Sequence, residues 1–565
     1  MSTGTARKPG TTPHCKPDTT PPEIGSSPAG EEPRGRHAHA DPGRIEASRL
    51  QQPAKTDISV AERLGLVSRR HPPRPGLMAR DRWQWTVLTV VLIGATMSAL
   101  DVTIVNIALP TIRIEFGTSL TLVEWVSMAY MIVLAIALPI VGRLADIFGR
   151  SRLYNIGFGI FVVGSALCGV APGIGTLIFA RALQAVGAAL LQANSVALIT
   201  QVFRSRKLGH ALGAQAAVQG TAMALGPFIG AMLIASLGWR SIFFVNVPIG
   251  IAGAYAAHRV LPRFHRVHKD VKIDYVGITL LTVGLMAVVL AVNQAGSLGW
   301  TSPLIVSHFL LGVVCLGAFA VTERIVKHPT IDPSLFRRYT IAAGNITALL
   351  AYYTLFSVLF LLPFYFEQVL HYSAVITGLM LTAVPFAMAV VAPLAGRKCD
   401  RFGSRKFLVS GSLMLAAGSL LLVFAPSTPR PTELLVAMFV LGTGLGVFTP
   451  ANNRATMAAT PRDKLGMTGG FLNMMRSLGV ILGVDISGMV FLAVAGAHAS
   501  AHPGAAHESR EALVFSNKVA FMDGFHVAML TLVGVALLCA LFSFFRKNET
   551  GGPTQSLPGE SLELA

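Results

Sequence analysis

Charge is what this sequence has least of. Asp, Glu, Lys and Arg make up 13% of its 565 residues, whereas 52% are hydrophobic. With a mean hydropathy of +0.59, this is too little charge to cover the surface of a soluble chain. A soluble enzyme is thereby excluded, and a polytopic membrane protein remains. Cysteine is also thin: Cys15, Cys168, Cys315, Cys399 and Cys539 are scattered, with no CxxC. That argues against a disulfide framework and against a metal site. No GxxxxGK[ST] occurs, so ATP is not the expected source of drive. With no nucleophile–base constellation visible either, neither enzymatic activity nor a cofactor is expected.

What the chain does have is long apolar runs. A span needs roughly 20 apolar residues at a rise of about 1.5 Å each. By that measure the candidates are 84–108, 122–142, 153–171, 175–199, 209–236 and 241–260, then 275–295 and 304–323. Six more follow at 341–366, 374–396, 407–425, 433–453, 467–496 and 525–545.

The loops test this count independently. Lys and Arg cluster after every second span, as in Arg143/Arg150/Arg152, Arg204/Arg206/Lys207 and Arg397/Lys398/Arg401. The alternate loops, such as 171–176, 293–303 and 367–374, are nearly free of them. This alternation predicts an even number of spans with both termini cytoplasmic. It also accounts for much of the net charge of +18, so nucleic acid is not an expected partner. Residues 1–82 are rich in Pro, Gly, Ser, Thr and Arg and read as a disordered basic tail. His498, His502 and His507 in the loop before the last span read better as a flexible polar segment than as a metal site.

An internal repeat is written into two of the basic loops. GRLADIFGRSR runs from Gly142 to Arg152, and GRKCDRFGSRK from Gly396 to Lys406. Gly142, Asp146 and Gly149 match Gly396, Asp400 and Gly403 at a constant offset of 254. Two six-span halves in the same orientation follow, one of the known transporter layouts, with two central spans inserted between them. The divisions expected are a tail at 1–82, a first bundle at 83–262, the inserted pair at 263–338, a second bundle at 339–547 and a tail at 548–565. In each loop the aspartate ends a helix and the glycine permits the reversal; Arg150 and Arg152 complement the helix end in the first, and Arg143 and Arg150 count among its latch residues. Recurrence in both halves favours a conformational latch over a topological anchor.

Asp101 is the costly residue. It lies inside the first span in LDVTIVNIALP, with no Lys or Arg close by in sequence. A carboxylate near the bilayer centre costs roughly 2.5–3.5 kcal/mol even on lenient scales. It is tolerated where it faces a cavity, pairs with a buried cation or carries a proton. Arg181, about one and a half turns from the external end of the fourth span, either meets Asp101 at matching depth or snorkels to the external interface. Asp485 in the thirteenth span is the second interior acid, suited to a further proton or a cationic substrate, or to a simple interhelix hydrogen bond. Gly220, Gly226, Pro227 and Gly230 in the fifth span form a small-residue packing and bending face. Asn106, Trp125, Tyr130, Gln219, Tyr352, Tyr353 and Phe356 are the candidate substrate contacts.

The G-R-x-x-D-x-F-G loop resembles the signature of the major facilitator superfamily. LDVTIVNIALP, WVSMAY (Trp125–Tyr130), RALQAVGAA (Arg181–Ala189), GTAMALGPFIGA (Gly220–Ala231) and WRSIFFVNVPIG (Trp239–Gly250) are similar to its fourteen-span drug:proton antiporters of the EmrB/QacA type. The resemblance covers about residues 83–547. It implies an all-α major facilitator fold, proton coupling at the arginine motif (Arg181, Gln184, Gly187), and export through the fifth-span motif. Ala185 and Ala231 stand where the family places glycine. The expected function is proton-coupled efflux of small organic compounds, lipophilic or cationic, by alternating access in the cell membrane. An exporter dedicated to one metabolite or self-made toxin is the near alternative, and a non-transporting membrane receptor or assembly subunit the distant one. The partners expected are a small-molecule substrate, protons and the lipid bilayer; a periplasmic adaptor protein stays open.

Overall fold

The computed structural model describes residues 77–203, 205–262, 274–326, 329–426, 429–499 and 518–546. Among the described residues all regular structure is helical, and fourteen helices are long and apolar enough to cross a membrane. The first six are α1 (Leu77–Phe116), α2 (Leu120–Phe148), α3 (Arg150–Gly169), α4 (Ile174–Val202), α5 (Ser205–Leu237) and α6 (Asn246–Val260), the last entered through a short turn at Ser241–Phe244. The inserted pair is α7 (Tyr275–Leu298) and α8 (Pro303–Ile325). Then come α9 (Tyr339–Phe364), α10 (Ala374–Leu381 and Ala383–Phe402), α11 (Ser404–Val423), α12 (Pro431–Ala458), α13 (Leu465–Ala499) and α14 (Lys518–Phe544). The tail up to residue 76, His502, His507 and the tail from 547 lie outside the described residues.

Several helices outrun their apolar cores. Helix α1 continues two turns beyond 108, straight through Pro110, because a membrane helix tolerates the one backbone bond that proline removes. The extension carries Glu115 to the end of the bundle. There it accepts a hydrogen bond from the Trp239 indole at 2.5 Å and pairs with Arg240. The span expected at 374–396 is broken at Thr382, and a π-helical turn follows α9 at Tyr365–Val369. Helix α14 begins seven residues before the expected 525.

Helix α1 packs on α5, α2 and α3 on α4, α9 on α13, and α11 on α12 and α14. Although α4 also meets α13 and α5 also meets α12, the first six helices join the last six mainly through two pairings, α2 with α13 and α5 with α10. Both are backbone-to-backbone approaches at the end carrying the basic loops. A Cβ on Gly142 would lie 2.4 Å from the Gly466 carbonyl, and one on Gly396 would lie 2.1 Å from the Gly209 carbonyl. Only glycine fits there. Helices α7 and α8 pack on each other, with α7 also against α2 and α13.

Candidate functional site

Asp101 and Arg181 meet. Arg181 Nη1 donates to Asp101 Oδ2 at 2.5 Å, and the two residues, Asp101 and Arg181, are 0% and 1% exposed. The arginine therefore does not snorkel to the surface. The other carboxylate oxygen, Oδ1, accepts from Gln184 Nε2 at 2.8 Å and Asn246 Nδ2 at 3.3 Å. Arg181 also donates to Gln184 Oε1 at 2.8 Å and to the Val126 carbonyl at 3.2 Å. Its guanidinium lies 4.1 Å from the centre of the Tyr130 ring. Ser165 completes the cluster, accepting from Gln184 at 3.2 Å.

Two opposite charges taken out of water repay their desolvation only when the remaining lone pairs and protons are satisfied. Five helices, α1, α2, α3, α4 and α6, supply those partners. Gln184 is three residues after Arg181, so both lie on one face of α4. Helix α5 closes on α1 beside the pair, where a Cβ on Gly226 would lie 1.9 Å from Thr103 Oγ1. Gly230 meets Ile104 in the same way, and Gly220 meets Met388 of α10. Tyr130, expected as a substrate contact, is fully buried beneath the guanidinium. Asn246 lies within WRSIFFVNVPIG, but no spacing in the sequence ties it to Asp101.

The two repeated loops make reciprocal contacts between the halves, the contacts that the latch reading requires. Asp146, on α2, accepts from the backbone N–H groups of Gly466 and Met467, both at 2.8 Å, at the start of α13. Asp400, on α10, accepts from Gly209 and His210 at 2.8 and 3.0 Å, in the first turns of α5. Asp146 thus satisfies unpaired N–H groups at the positive end of a helix in the opposite half, while Asp400 reaches N–H groups one turn into its own facing helix. Gly149 and Gly403 hold the reversals at φ 95° and 83°, in the left-handed region.

The cation differs between the two latches. Arg150 pairs with Asp146 at 2.7 Å and donates to the Arg462 carbonyl across the seam at 3.0 Å. At the offset of 254 the residue matching Arg150 is Ser404, and Asp400 pairs instead with Arg454 of α12 at 3.0 Å. Arg454→Ala should leave a nearly buried carboxylate without its cation and cost about 3–5 kcal/mol. Adding Ser404→Arg should restore much of this. Thermal midpoints of the purified variants check both.

A tether sits beside the first latch, where Lys464 pairs with Asp332. Burial alone would raise the Asp332 carboxyl, but hydrogen bonds from Lys464 and Ser334 outweigh it and hold the group below its ordinary range. The tether therefore keeps full strength at neutral pH. It is lost only as pH falls through that lowered value.

Asp485 does not join Asp101. Its hydrogen-bonding neighbour is Asn293 of the inserted helix α7, and its Oδ2 has no partner among the described residues. The expected substrate contacts are divided. Asn106 accepts from Ser127 at 2.9 Å on an exposed edge, while Trp125 and Gln219 are partly buried. Tyr352 and Phe356 stack at 6.1 Å, nearly parallel. Above Tyr352 lies Arg476, a buried arginine of α13 that hydropathy alone does not single out. Its signal in the sequence is one cation, in FLNMMRSLGV, six residues after Gly470.

Comparison with known proteins agrees with this architecture. The family model described as Major Facilitator Superfamily matches residues 91–484 and, in a second match, 344–563. The riboflavin transporter RibZ of Clostridioides difficile (strain 630) is 33% identical over 71% of this chain and 86% of its own length. The puromycin resistance protein of Streptomyces alboniger is 34% identical over 82% of this chain and 91% of its own. Among solved structures, the proton:xylose symporter XylE superposes with a TM-score of 0.57 at 14% identity, covering 82% of this chain and 95% of that one. With its halves in contact at both repeated loops, a buried ion pair and fourteen spanning helices, this multi-pass membrane protein belongs to the Major Facilitator Superfamily.

Proposed function

We propose that this transporter exports small organic, drug-like compounds in exchange for protons, by alternating access. The observation that supports proton coupling is the closed cluster around Asp101. A carboxylate bound to a single arginine, with neutral amides on its other oxygen, has one simple way to change state. A proton on Oδ2 removes the attraction to Arg181, and loss of that proton restores it. The pair draws on α1 and α4, while α5, packed on α1, carries the second latch's N–H groups at its other end. Protonation is thereby linked mechanically to the seam between the halves.

The basic loops mark the cytoplasmic face by the positive-inside rule. With the contacts between the halves made at that face, we take this as the state closed to the cytoplasm. A membrane potential of 100 mV supplies about 2.3 kcal/mol for each charge carried inward, enough to bias such a cycle. Export is supported by the resistance protein among the relatives. The riboflavin transporter keeps a second reading in view, a transporter dedicated to one metabolite. The test is proton release from energised inverted vesicles on adding candidate compounds. A transient, compound-dependent pH change is expected; export that persists when the proton gradient is collapsed would overturn the reading.

A further inference from the structure

The seam between the two halves holds a polar layer that the Asp101 cluster does not use. Gln192, Asn194 and Ser195 of α4, Gln215 of α5, Asn453 of α12, and Asn473 and Arg476 of α13 contribute to it. Gln215 donates to Ser195 at 2.8 Å, and Asn473 donates across to the Gln192 carbonyl at 3.2 Å. Arg476 is 6% exposed. It donates to Asn453 Oδ1 and, at 3.3 Å, to Asn473 Oδ1. No carboxylate forms an ion pair with it among the described residues, and its Nε has no hydrogen-bond partner there. The Asn194 and Gln215 side-chain oxygens are also unpartnered among the described residues.

Buried cations in proteins are ordinarily paired, and this one has only neutral amides. The other interior charges cannot serve it. Asp101 is bound to Arg181, Asp146 to Arg150, and Asp400 to Arg454. Asp485 is nine residues along α13, about two and a half turns, so it projects from the opposite side of the helix toward α7.

Location points the same way. Arg476 lies six residues along α13 from Gly470, whose backbone abuts the Leu138 carbonyl of α2. On the alternating-access reading, parting these helices would open the arginine to the cytoplasmic face, from which an exported compound enters. Tyr352, 5.4 Å beneath the guanidinium, is stacked on Phe356. The pair presents flat apolar surface beside the charge.

We infer that Arg476, with Asn453 and the Tyr352–Phe356 stack, forms a subsite for an anionic group on an aromatic substrate, a carboxylate above all. The planar fork of Arg476 binds two carboxylate oxygens at once, and the aromatic stack beside it takes the flat apolar body of the same molecule. The inference rests on the export reading and narrows its small organic compounds to aromatic acids, in place of the cationic ones expected from the sequence.

The test uses 1-pyrenebutyrate and two further fluorescent aromatic acids, each paired with its methyl ester. Binding to the purified full chain and export from cells are measured separately. Arg476→Gln should weaken binding and export of the acids about tenfold or more while moving the esters less than about threefold. Asn453→Asp supplies an internal carboxylate to Arg476, keeps the shape of the side chain, and should produce the same selective loss in a folded protein. Arg476→Lys should fall between wild type and Arg476→Gln. Equal loss of acid and ester in Asn453→Asp, no loss in either, or failure of the wild type to bind any acid more tightly than its ester overturns the inference. If acids bind selectively but nothing is exported, the export reading fails and the anion subsite stands.

Discussion

Asp101→Asn should abolish compound-induced proton movement in inverted vesicles, with the variant still inserted in the membrane. Asparagine keeps the size of the side chain and can still accept from Gln184 and Asn246, which reach Oδ1 in the native protein. It cannot carry a titrating proton, and it leaves Arg181 buried without its counter-charge. Losing one partner of a buried pair costs about 3–5 kcal/mol, so a drop in thermal midpoint should accompany the loss of coupling. The double variant Asp101→Asn/Arg181→Gln separates the two effects. It removes both charges and should recover much of the stability while coupling stays absent. Proton signals equal to wild type in Asp101→Asn would sink the assignment, whatever happens to stability.

The second large effect is expected at the latches. Valine at Gly142 or Gly396 would drive a side chain into a facing backbone carbonyl, which a Cβ alone would already approach to 2.4 or 2.1 Å. Overpacking a close backbone contact costs about 1–3 kcal/mol or more. If that cost falls only on the state closed to the cytoplasm, it shifts the conformational equilibrium by about 5- to 150-fold. Distances between spin labels on α2 and α13, and on α5 and α10, should lengthen in Gly142→Val and Gly396→Val respectively. Export should fall sharply in both. Unchanged distances with normal export would show that the glycine seam is not the closing element. Asp146→Asn offers a milder comparison, since an amide oxygen still accepts one of the two N–H groups at the start of α13.

The latches also show where sequence reading reaches and where it stops. Their recurrence, the glycines at the reversals and the place of each aspartate at a helix end follow from the repeat alone. The transfer of the cation from Arg150 in one half to Arg454 in the other does not. Arg454 lies in a different helix, and only folding brings it beside Asp400. The expected meeting of Asp101 with Arg181 was readable because both depths are fixed by counting residues along spans. That Gln184 and Asn246 share one carboxylate oxygen was not.

The fourteen apolar runs, the alternation of basic loops and the two-fold repeat are determined by the sequence itself. Each depends on the cost of placing a residue at a given depth in lipid, and depth is set by position along the chain. Which way each helix turns its side chains was decided only by the tertiary structure. Asp485 and Arg476 lie on one helix at comparable hydropathy. Yet one side chain faces the inserted helix α7 and the other the seam between the halves. Rotation about the helix axis is set by which neighbours pack closely, here by glycines against backbone carbonyls, and that choice is made only when the helices assemble.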